Sequence, residues 1–448
     1  MAMLVLQSLA LLSLSCCSSS SAESLESFKE EVGSNISTTN AGDITFPLIS
    51  IHSDVSPFRL SNSTRSSRIT EWLKSDTHRQ QALFQIPLAS GAATINGKYI
   101  IKLGFGTPAQ NIYAIVDTVE NAVWIPCKSC QNCKTPQLFE SQKSSTFKHI
   151  SCDSDQCEQA NGICIDDDKS CTFKLGYADK YANESKVDAL LSSDELTMEG
   201  NAYLSRFIFG CSTVRRGILE DAPGVIGLGR GSKLSFLSQT ESMFGKVFSH
   251  CLPSIDSKSS SGTLSLGKGS LSSTQGLRFT PLLQNYPNYY CVGLIAIRVG
   301  NDHFLMPQEY SGSTPTGLQM VIDSGTAFTR LVEPFYSQVR DSFRRQMKLT
   351  RIEPFRNLDT CYRIPSGGKV VAPRVVLHFQ GKLFLDIPQE SVLITVDEKQ
   401  EWFDVCFAFT SAGSGFDSVF GNTQQQKLRI VYDVPGSRIG IAQENCDH

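Results

Sequence analysis

Short runs of alternating or clustered apolar residues follow one another from residue 86 onward, and they predict β-strands. The stretch from Tyr99 to Asp117 places β-branched and aromatic residues between Gly, Pro and Asn turns. Similar runs recur to the end of the chain, including RFIFGC, YYCVGLIAIRVG, RVVLHFQGKLFLDI and LRIVYDVPGSRIGIA. Helical spacing is rare, and its clearest case is PFYSQVRDSFRRQMK, with Pro334 at its start. The pattern therefore predicts an all-β body with a few short helices.

The first 85 residues differ from the rest of the chain in composition and in the pattern of apolar residues. An apolar stretch from Met3 to Leu14 is too short to span a bilayer, and small residues ending at Ala22 follow it. This is typical of a secretory signal over residues 1–22, although the usual basic start is missing; a buried N-terminal helix is the alternative. Residues 23–85 are polar, rich in serine, and end in the charged helical segment RITEWLKSDTHRQQAL. We interpret them as a pro-segment that is separate from the folded core.

One arrangement of residues occurs in both halves of the remaining chain. In each half, a strand-like run ends in two apolar residues, an aspartate and a hydroxyl residue, and a later strand ends in two apolar residues and a glycine. The segments are Ile115–Thr118 with Val225–Gly227, and Val321–Ser324 with Val419–Gly421. A repeat this long indicates a duplicated lobe and not a short-period solenoid. We therefore expect two lobes, over residues 86–285 and 286–448.

The duplicated aspartates, Asp117 and Asp323, are the candidate catalytic residues. A carboxylate at the end of a buried strand is costly unless it is hydrogen-bonded or used. If the two meet between the lobes they cannot both ionise, so they share a proton and act together as general base and general acid on an amide. Water is the only other reactant, so we expect no metal and no cofactor. For one such motif alone, a turn-capping role is the simpler interpretation; two paired motifs favour the dyad.

Several motifs in this order resemble one family. YIIKLGFGTPAQNIYAIVDT with AVWIPC resembles the N-terminal lobe of pepsin-like aspartic proteases, and VIDSGT resembles their second catalytic loop. The cysteine-rich insert after Trp124, GVIGLGRGSKLSFLSQ, FSHCLP and FGNTQQQKLRIVYDVPGSRIGIA are similar to the plant nepenthesin-type group, especially its apoplastic members. PLISIHSDVSPF resembles the pro-segment of that group. The resemblance covers about Ile86 to Cys446, and it implies the bilobal pepsin-like fold, an active site between the lobes and a precursor form.

The resemblance also implies a role for each matching residue. Asp117 and Asp323 match the catalytic dyad. The residues that match the supports of the two catalytic loops are Thr118, Ser324, Gly325 and Thr326. Among them, Thr118 and Ser324 match the hydroxyl residues that hydrogen-bond across the lobes and keep the loops rigid; ordinary turn hydroxyls are the alternative.

A flap over the substrate cleft is part of the same resemblance. Tyr177, in LGYADKYANES, matches the flap tyrosine, and Trp124 matches its partner beneath the flap. Taken singly, either aromatic residue would be interpreted as core, so the assignment depends on position. Ala178 and Lys180 stand where the flap commonly has glycine, which implies a stiffer or differently closing flap.

The first catalytic loop departs from the family pattern at two positions. Val119 stands where glycine or a small residue is usual; it keeps the backbone N–H that donates to the aspartate, but it adds bulk and disfavours a positive φ. Glu120 stands where serine is usual, and an ionised glutamate cannot donate to the outer carboxylate oxygen. If Glu120 lies close, it repels the ionised dyad and raises its pKa. If it turns to solvent, a hydrogen bond of about 1–3 kcal/mol is lost, or about ten- to a hundredfold in rate. Impaired catalysis is compatible with this loop, and complete loss is not required.

Fifteen cysteines are present, of which Cys16 and Cys17 lie in the signal. In an oxidising compartment the remainder predicts a disulfide framework. Zinc ligation by CKSCQNC together with a later cysteine pair is the alternative. The candidates for disulfides are Cys127, Cys130, Cys133, Cys152, Cys157, Cys164, Cys171, Cys211, Cys251, Cys361, Cys406 and Cys446.

The family resemblance narrows the cysteine pattern. Relatives of this type generally have a hydrophobic residue where Cys291 stands, so Cys291 is the expected free thiol. Seven cysteines then remain between Cys127 and Cys171 and five outside, so at least one bridge must leave that insert. Cys361 with Cys406 is the pair most like the family.

The charge of the chain and its targeting signals limit the classes of partner and the location that we expect. The net charge is −3, with 19% charged residues and no basic run longer than Arg344-Arg345, which argues against a nucleic-acid partner. No later stretch approaches about 18 uninterrupted apolar residues, so we expect no membrane span in the mature form. Asn35, Asn62 and Asn183 are glycosylation candidates. We expect a secreted monomer in the apoplast or cell wall, with the vacuole as an alternative.

Two functions follow from these observations. The first is a secreted aspartic endopeptidase that acts on proteins or peptides. The second is a catalytically impaired binding protein on the same fold, similar to plant inhibitors of microbial cell-wall glycosidases. Both aspartates, their hydroxyl neighbours and Tyr177 favour the first function, whereas Val119 and Glu120 favour the second.

Overall fold

A computed structural model describes most of the chain. The described residues are 43–59, 63–85, 98–165, 169–177, 185–254, 261–284, 286–306, 317–413 and 417–447. The predicted signal, the flap residues Ala178 and Lys180, and the three glycosylation candidates Asn35, Asn62 and Asn183 lie outside the described residues, as does the side chain of Tyr177.

Strands dominate the described residues. In the first half they are β1 (Ile44–Ser50), β2 (Tyr99–Phe105), β3 (Gln110–Asp117), β4 (Val123–Gln131), β5 (Lys148–His149), β6 (Ile163–Ile165), β7 (Ser170–Tyr177), β8 (Ser185–Thr197), β9 (Tyr203–Arg216), β10 (Val225–Gly227), β11 (Val247–Cys251), β12 (Gly262–Leu266) and β13 (Arg278–Pro281). In the second half they are β14 (Cys291–Val299), β15 (Asp302–Leu305), β16 (Leu318–Ile322), β17 (Thr329–Val332), β18 (Arg351–Ile352), β19 (Cys361–Pro365), β20 (Val375–Phe379), β21 (Leu383–Asp386), β22 (Leu393–Glu398), β23 (Trp402–Phe407), β24 (Phe409–Gly413), β25 (Ser418–Phe420), β26 (Leu428–Asp433) and β27 (Arg438–Gln443).

The helices of the described residues are mostly short. They are α1 (Arg65–Gln85), α2 (Asp155–Gln159), α3 (Phe236–Gln239), α4 (Glu241–Phe244), α5 (Gly269–Ser273), α6 (Phe335–Gln346), α7 (Gln389–Val392) and α8 (Asn422–Gln425), with single 3₁₀ turns at Ser141–Lys143, Glu199–Asn201 and Gly217–Leu219. The helix predicted after Pro334 is α6, and the charged segment of the leader is α1. The prediction of a mainly β protein with few helices is confirmed.

The duplication predicted from the two aspartate motifs is visible in the strand pairing. β3 pairs in parallel with β10, which places Gly227 opposite Asp117. β16 pairs in parallel with β25, with Phe420 opposite Ile322, immediately before Asp323. Each half therefore supports its aspartate with the apolar-apolar-Gly strand that the sequence pattern singled out. The fold is the bilobal pepsin-like fold.

The leader is not separate from the core, and this expectation was wrong. β1 lies between β12 and β2 in the largest sheet, whose order is β13-β27-β26-β11-β12-β1-β2-β3-β10-β4-β9-β8-β7-β6. Phe46 pairs with Leu264, and Ser50 pairs with Tyr99. The alternating burial of Ile44, Phe46 and Leu48 makes β1 half-buried. A polar average over the leader hid this alternation, because a strand needs only every second residue to be apolar.

α1 also contributes to the core. Ile69, Trp72 and Leu73 are buried in one cluster with Phe328 and Ile394 of the second lobe. The Trp72 and Phe328 ring centroids are 6.1 Å apart. This apolar stripe holds α1 on the second lobe, next to the loop that carries Asp323. None of the helices in the described ranges is long and apolar enough to cross a membrane.

Six disulfides connect the cysteines of the described residues. They are Cys127–Cys211, Cys130–Cys133, Cys152–Cys164, Cys157–Cys171, Cys251–Cys446 and Cys361–Cys406. Cys127–Cys211 is the bridge that leaves the cysteine-rich insert, and Cys361–Cys406 joins neighbouring positions of β19 and β23. Cys291 is unpaired and buried. The zinc alternative is wrong for this structure, because its proposed ligands are bonded to other cysteines.

Candidate active site between the lobes

Asp117 and Asp323 are fully buried at the ends of β3 and β16. Backbone hydrogen bonds fix both positions. The Leu228 N–H donates to the Asp117 carbonyl at 2.8 Å, and the Asp323 N–H donates to the Phe420 carbonyl at 3.2 Å. The strand pairing therefore extends to each aspartate, and it anchors the backbone of both residues to their sheets.

Thr118 and Ser324 join the two loops by reciprocal hydrogen bonds. The Thr118 N–H donates to the Ser324 hydroxyl at 3.2 Å, and the Ser324 N–H donates to the Thr118 hydroxyl at 3.1 Å. Each hydroxyl in turn donates across the lobes, from Thr118 to the Ile322 carbonyl and from Ser324 to the Val116 carbonyl. This arrangement is symmetric, and all of it is buried. It holds the two aspartates at a fixed separation.

The second loop satisfies both oxygens of Asp323. The Gly325 N–H donates to Oδ1 at 2.8 Å, and the Thr326 hydroxyl donates to Oδ2 at 2.6 Å. Hydrogen bonds to a carboxylate stabilise its ionised form. Each oxygen of Asp323 therefore has a donor from its own loop.

The first loop satisfies Asp117 differently. The Val119 N–H and the Glu120 N–H both donate to Oδ1, at 3.0 and 3.2 Å. Val119 does not have a positive φ, so the backbone penalty expected for valine at this position is absent. Its side chain is buried against Leu283, Cys291 and Val321 of the second lobe. The valine is accommodated, and it adds an apolar contact between the lobes.

Glu120 is buried and does not extend into solvent. Its carbonyl accepts the Gly229 N–H at 2.8 Å, which fixes the backbone of the loop from its other side. Burial raises the pKa of Tyr289, and the carboxylate of Glu120 raises it further. Glu120 therefore does not turn to solvent, which excludes the second of the two outcomes expected from the sequence.

Arg79 of α1 lies between the two carboxylates and is fully buried. Its Nη1 and Nη2 donate to Oδ2 and Oδ1 of Asp117, both at 2.8 Å. Its Nε and Nη2 donate to Oδ2 and Oδ1 of Asp323, both at 2.7 Å. One guanidinium thus makes a bidentate pair with each aspartate. The two aspartates are therefore paired with, and covered by, the chain's own leader.

The charges of this cluster determine the titration of Asp117. Burial alone would raise the pKa of Asp117, but Arg79 and then Lys98 outweigh it, and the pKa is lowered. Burial would lower the pKa of Arg79, but the two aspartates raise it well above its usual value. Lys98 is itself buried, and burial followed by repulsion from Arg79 lowers its pKa to about 8. At acidic and neutral pH, two cations therefore face the two candidate catalytic carboxylates.

Asp76 attaches α1 to the residues that follow the second loop. Its carboxylate oxygens accept the Ala327 N–H at 2.8 Å and the Phe328 N–H at 2.9 Å. Burial raises the pKa of Asp76, although Arg330 and the two N–H groups oppose that shift. Since Asp76 and Arg79 are three residues apart on a helix, they lie on one face of α1. That face covers the active site.

The remaining predicted site residues belong to the first lobe. Trp124 is fully buried in β4, with the Arg215 guanidinium 5.8 Å from its ring centre. Tyr177 ends β7, where its backbone pairs with Ser185 of β8. The flap roles of both aromatic residues stay predictions.

Sequence reasoning missed Arg79, Asp76 and Lys98. A signal was available for the first two, because Trp72, Asp76 and Arg79 form one stripe on a helix whose other residues are mostly polar. Nothing local marks Lys98, since it precedes β2 and reaches the dyad only through the folded arrangement of the sheet.

The fold and the paired aspartate loops are those of the pepsin-like aspartic protease family. Two family models match the chain, described as the xylanase inhibitor N-terminal domain over residues 99–268 and the xylanase inhibitor C-terminal domain over residues 289–443. Aspartyl protease family protein 2 of Arabidopsis thaliana is 35% identical over 81% of this chain and 74% of its own length. Aspartyl protease AED3 of Arabidopsis thaliana is 33% identical over 91% and 92%. Aspartic proteinase nepenthesin-1 of Nepenthes gracilis is 31% identical over 78% of each chain.

Solved structures share the fold at lower identity. Soybean basic 7S globulin aligns with a TM-score of 0.61 and 20% identity, over 77% of this chain and 91% of that protein. The protein named edgp aligns with a TM-score of 0.62 and 18% identity, over 91% and 96%. The chain belongs to the pepsin-like aspartic proteases, in their plant nepenthesin-type group.

Proposed function

We propose that this chain is the inactive precursor of a secreted aspartic endopeptidase whose catalytic dyad is Asp117 and Asp323. The observation that carries the proposal is the bidentate pairing of Arg79 with both carboxylates. Because Nη2 of Arg79 donates to Oδ1 of both aspartates, the two carboxylates lie close enough for the charge of one to oppose ionisation of the other when the guanidinium leaves. The reciprocal bonds of Thr118 and Ser324 preserve that separation after the leader has gone.

The chemistry follows from the shared proton. In the mature cleft a water molecule takes the place of the guanidinium between the carboxylates. The ionised aspartate removes a proton from this water as its oxygen attacks the peptide carbonyl carbon, and the protonated aspartate donates to the carbonyl oxygen. Collapse of the tetrahedral intermediate then breaks the C–N bond, and a proton passes to the leaving amine. No covalent enzyme intermediate forms.

The leader keeps the precursor inactive in this proposal. Arg79 occupies the place of the catalytic water, and α1 covers the adjacent cleft. β1 adds a strand to the largest sheet, so removal of the leader must break that pairing as well as the ion pairs. We infer that cleavage after α1, in residues 86–97, precedes activity. Disulfides throughout the body support a secreted protein, since such bonds persist in oxidising compartments; the apoplast or cell wall is the proposed location.

A second function has specific support. The two matching family models carry xylanase inhibitor descriptions, and Glu120 replaces the usual hydroxyl of the first loop. A binding protein on this fold would keep the loops for structural reasons and would use its surface to recognise a glycosidase. The alternative predicts no dyad-dependent cleavage after the leader has been removed.

The experiment that separates the two functions is a digest of a denatured protein mixture between pH 3 and 7. The protein is produced as the full chain with a specific cleavage site introduced after Gln85 and is processed before the assay. The variants are Asp323→Asn and Asp117→Asn, which keep the shape of each side chain, and an added arm contains a statine-type transition-state analogue. Processed wild-type protein should cleave peptides, and each variant and the analogue should abolish cleavage. Cleavage that survives in both variants, or no cleavage at any pH, would contradict the proposal.

A further inference from the structure

The cysteine-rich insert carries two disulfides that solvent can reach, Cys130–Cys133 and Cys152–Cys164. Cys130 and Cys133 are half-buried, and the two residues between them are exposed. Their sequence separation is 3, the smallest of the bridges in the described residues, and that of Cys152–Cys164 is 12. The stabilisation that a disulfide gives to a fold grows with the length of the loop that it closes. Reduction of Cys130–Cys133 therefore costs the fold little.

Arg215 of β9 lies against the Cys130–Cys133 bridge. Its Nε lies 2.6 Å from Sγ of Cys133, and its Nη1 donates to the Ala222 carbonyl. Its side chain is fully buried, and its Nη2 has no hydrogen-bond partner in the part of the chain that the structure describes. Burying a cation is costly unless an anion pairs with it. A negative charge on the sulfur of Cys133 would supply such an anion at contact distance.

The other charged groups near Arg215 come from the turn that follows β9. Burial lowers the pKa of Arg215 to about 10, although Asp221 and Glu220 oppose that shift. Glu220 is paired with Lys134, at 2.6 Å. Arg215 is therefore a cation at acidic and neutral pH, and its guanidinium is in contact with the bridge.

The cation changes the chemistry of the neighbouring sulfur. A positive charge beside a cysteine lowers the pKa of its thiol and so stabilises the thiolate. In disulfide exchange, the sulfur whose thiol has the lower pKa leaves faster. The contact with Arg215 therefore makes Cys133 the leaving sulfur, and Cys130 the sulfur that an incoming thiolate attacks.

We propose that Cys130–Cys133 is a site of reversible thiol–disulfide exchange with a small thiol of the glutathione class, and that Arg215 stabilises the thiolate of Cys133 in the reduced form. This inference goes beyond the proposed function and does not depend on the aspartate dyad.

The exchange proceeds in two steps. The thiolate of one small thiol attacks Sγ of Cys130, the S–S bond breaks, and its electron pair goes to Sγ of Cys133, beside Arg215. A second small thiolate attacks the mixed disulfide and releases Cys130, which takes up a proton. Overall, two small thiols are oxidised to one disulfide, Cys130 becomes a thiol, Cys133 becomes a thiolate, and one proton is released to solvent.

Cys152–Cys164 is a matched control within the same molecule. It is also accessible, since Cys164 is exposed. Its charged neighbour has the opposite sign, because Oδ1 of Asp153 lies 3.9 Å from Sγ of Cys152. A nearby carboxylate opposes formation of a thiolate. We therefore expect Cys152–Cys164 to resist the reductant that opens Cys130–Cys133.

The test equilibrates the full chain at pH 7 with mixtures of reduced and oxidised glutathione, followed by acid quenching, alkylation and peptide mass spectrometry. Cys130–Cys133 should be half reduced at a ratio of [GSH]² to [GSSG] at least about tenfold lower than Cys152–Cys164, the factor given by a thiol pKa lowered by about one unit. Arg215→Gln should remove most of this difference, and Arg215→Lys should keep part of it. Arg216→Gln, which changes the exposed neighbour, is the control and should leave the difference unchanged.

A second measurement is the pH dependence of alkylation of reduced Cys133 by iodoacetamide. Its midpoint should lie at least about one pH unit below the usual thiol pKa of about 8.5. The two wild-type measurements decide the question if Arg215→Gln does not fold. Equal reduction of both bridges, an ordinary midpoint for Cys133, or equal shifts in Arg215→Gln and Arg216→Gln would overturn the inference. None of these measurements uses peptide cleavage, so the proposed function is tested separately.

Discussion

The two loops that carry the aspartates have the same backbone plan, and besides the hydroxyl pair Thr118 and Ser324 their side chains differ at two matching positions. In the second loop, a Cβ on Gly325 would lie 2.5 Å from Cζ of Arg79 and 2.6 Å from Oδ2 of Asp117. In the first loop, the matching residue Val119 is buried without a positive φ against the second lobe. Glycine is therefore required on one side of the dyad only. A departure from the family pattern at Val119 does not by itself indicate a lost active site.

The leader also makes different contacts with the two loops. Arg79 binds both aspartates, whereas Asp76 accepts from Ala327 and Phe328, just beyond the second loop. Trp72 packs on Phe328 as well. The second loop thus supplies a hydrogen-bond donor to each oxygen of its aspartate. The residues that follow it also hold the leader in place. The first loop carries the substitutions.

The largest effect is expected when the contact of Arg79 with both loops is removed. Arg79→Met in the full chain removes the guanidinium that pairs with both buried aspartates. Removing one partner of a buried ion pair costs about 3–5 kcal/mol, so docking of the leader should weaken by about two to four orders of magnitude. Peptide cleavage by the unprocessed chain should appear. Lys74→Met on the exposed side of α1 is the control, because Lys74 pairs with Glu71 at the surface. Equal precursor activity in both variants would contradict the blocking role of Arg79.

The next prediction concerns a variant in which Gly325 of the second loop is replaced by valine, the residue at the matching position 119 of the first loop. Gly325→Val places a Cβ within contact distance of Asp117, so the carboxylates must move apart. A displacement of about 1 Å at a catalytic centre costs about a hundredfold in rate. We expect kcat/KM of the leader-free protein to fall by at least about that factor, with normal thermal unfolding as the folding control. Retention of activity would show that the second loop tolerates valine as the first loop does.

A smaller effect is expected from the pH dependence of leader docking at Trp72, which packs on Phe328 beyond the second loop. Trp72 Nε1 donates to Nε2 of His52 at 3.2 Å, which requires an unprotonated nitrogen. Burial, and then Arg68, lower the pKa of His52 to about 4 from its ordinary value of 6.5. The docked leader therefore holds neutral His52, while the released leader binds a proton below pH 6.5. Docking should weaken as pH falls from 6.5 to about 4, by up to about 3 kcal/mol, and should not weaken further through this residue below that pH.

Replacing His52 by a residue that cannot titrate tests this pH dependence. His52→Phe keeps an aromatic ring beside Trp72, and it should flatten the pH dependence of leader release between pH 6.5 and 4, followed by protease sensitivity of the leader. His303→Phe changes an exposed histidine and is the control. An unchanged slope in His52→Phe would assign the acid response to other groups.

The smallest effect returns to the first loop. Val119→Gly removes a buried apolar side chain, which costs about 1.5–3 kcal/mol, and adds backbone freedom worth about 0.5–1 kcal/mol. The backbone N–H to Asp117 remains. We therefore expect a lower melting temperature with kcat/KM within about tenfold of wild type. A large gain in activity would show that valine, and not Glu120, is the defect of this loop.

The sequence predicted what is encoded locally and missed what depends on distant pairing. Asp117 and Asp323 were recognisable because each ends an apolar run and each has a later apolar-apolar-Gly strand. The structure brings these elements together in the same way in both halves. Val119 was misjudged, because its tolerance depends on Leu283, Cys291 and Val321, which are remote in sequence.

The leader shows the same limit more strongly. β1 is stabilised by two neighbouring strands that come from different parts of the chain, and no local pattern predicts which edges a half-polar strand will join. Arg79 is one basic residue in a charged helix. Only the folded arrangement shows that its side chain is buried between two carboxylates. Its position explains why a polar segment is part of the active site.

The central claim is that both loops form one working dyad and that Arg79 occupies it. Titration calorimetry with a statine-type transition-state analogue tests this claim most directly, because the hydroxyl of such an analogue needs both carboxylates free. We predict one bound analogue per leader-free molecule, affinity at least about a hundredfold weaker in Asp323→Asn, and no binding to the intact precursor. Equal binding to precursor and leader-free protein, or no binding to the leader-free protein, would contradict the account.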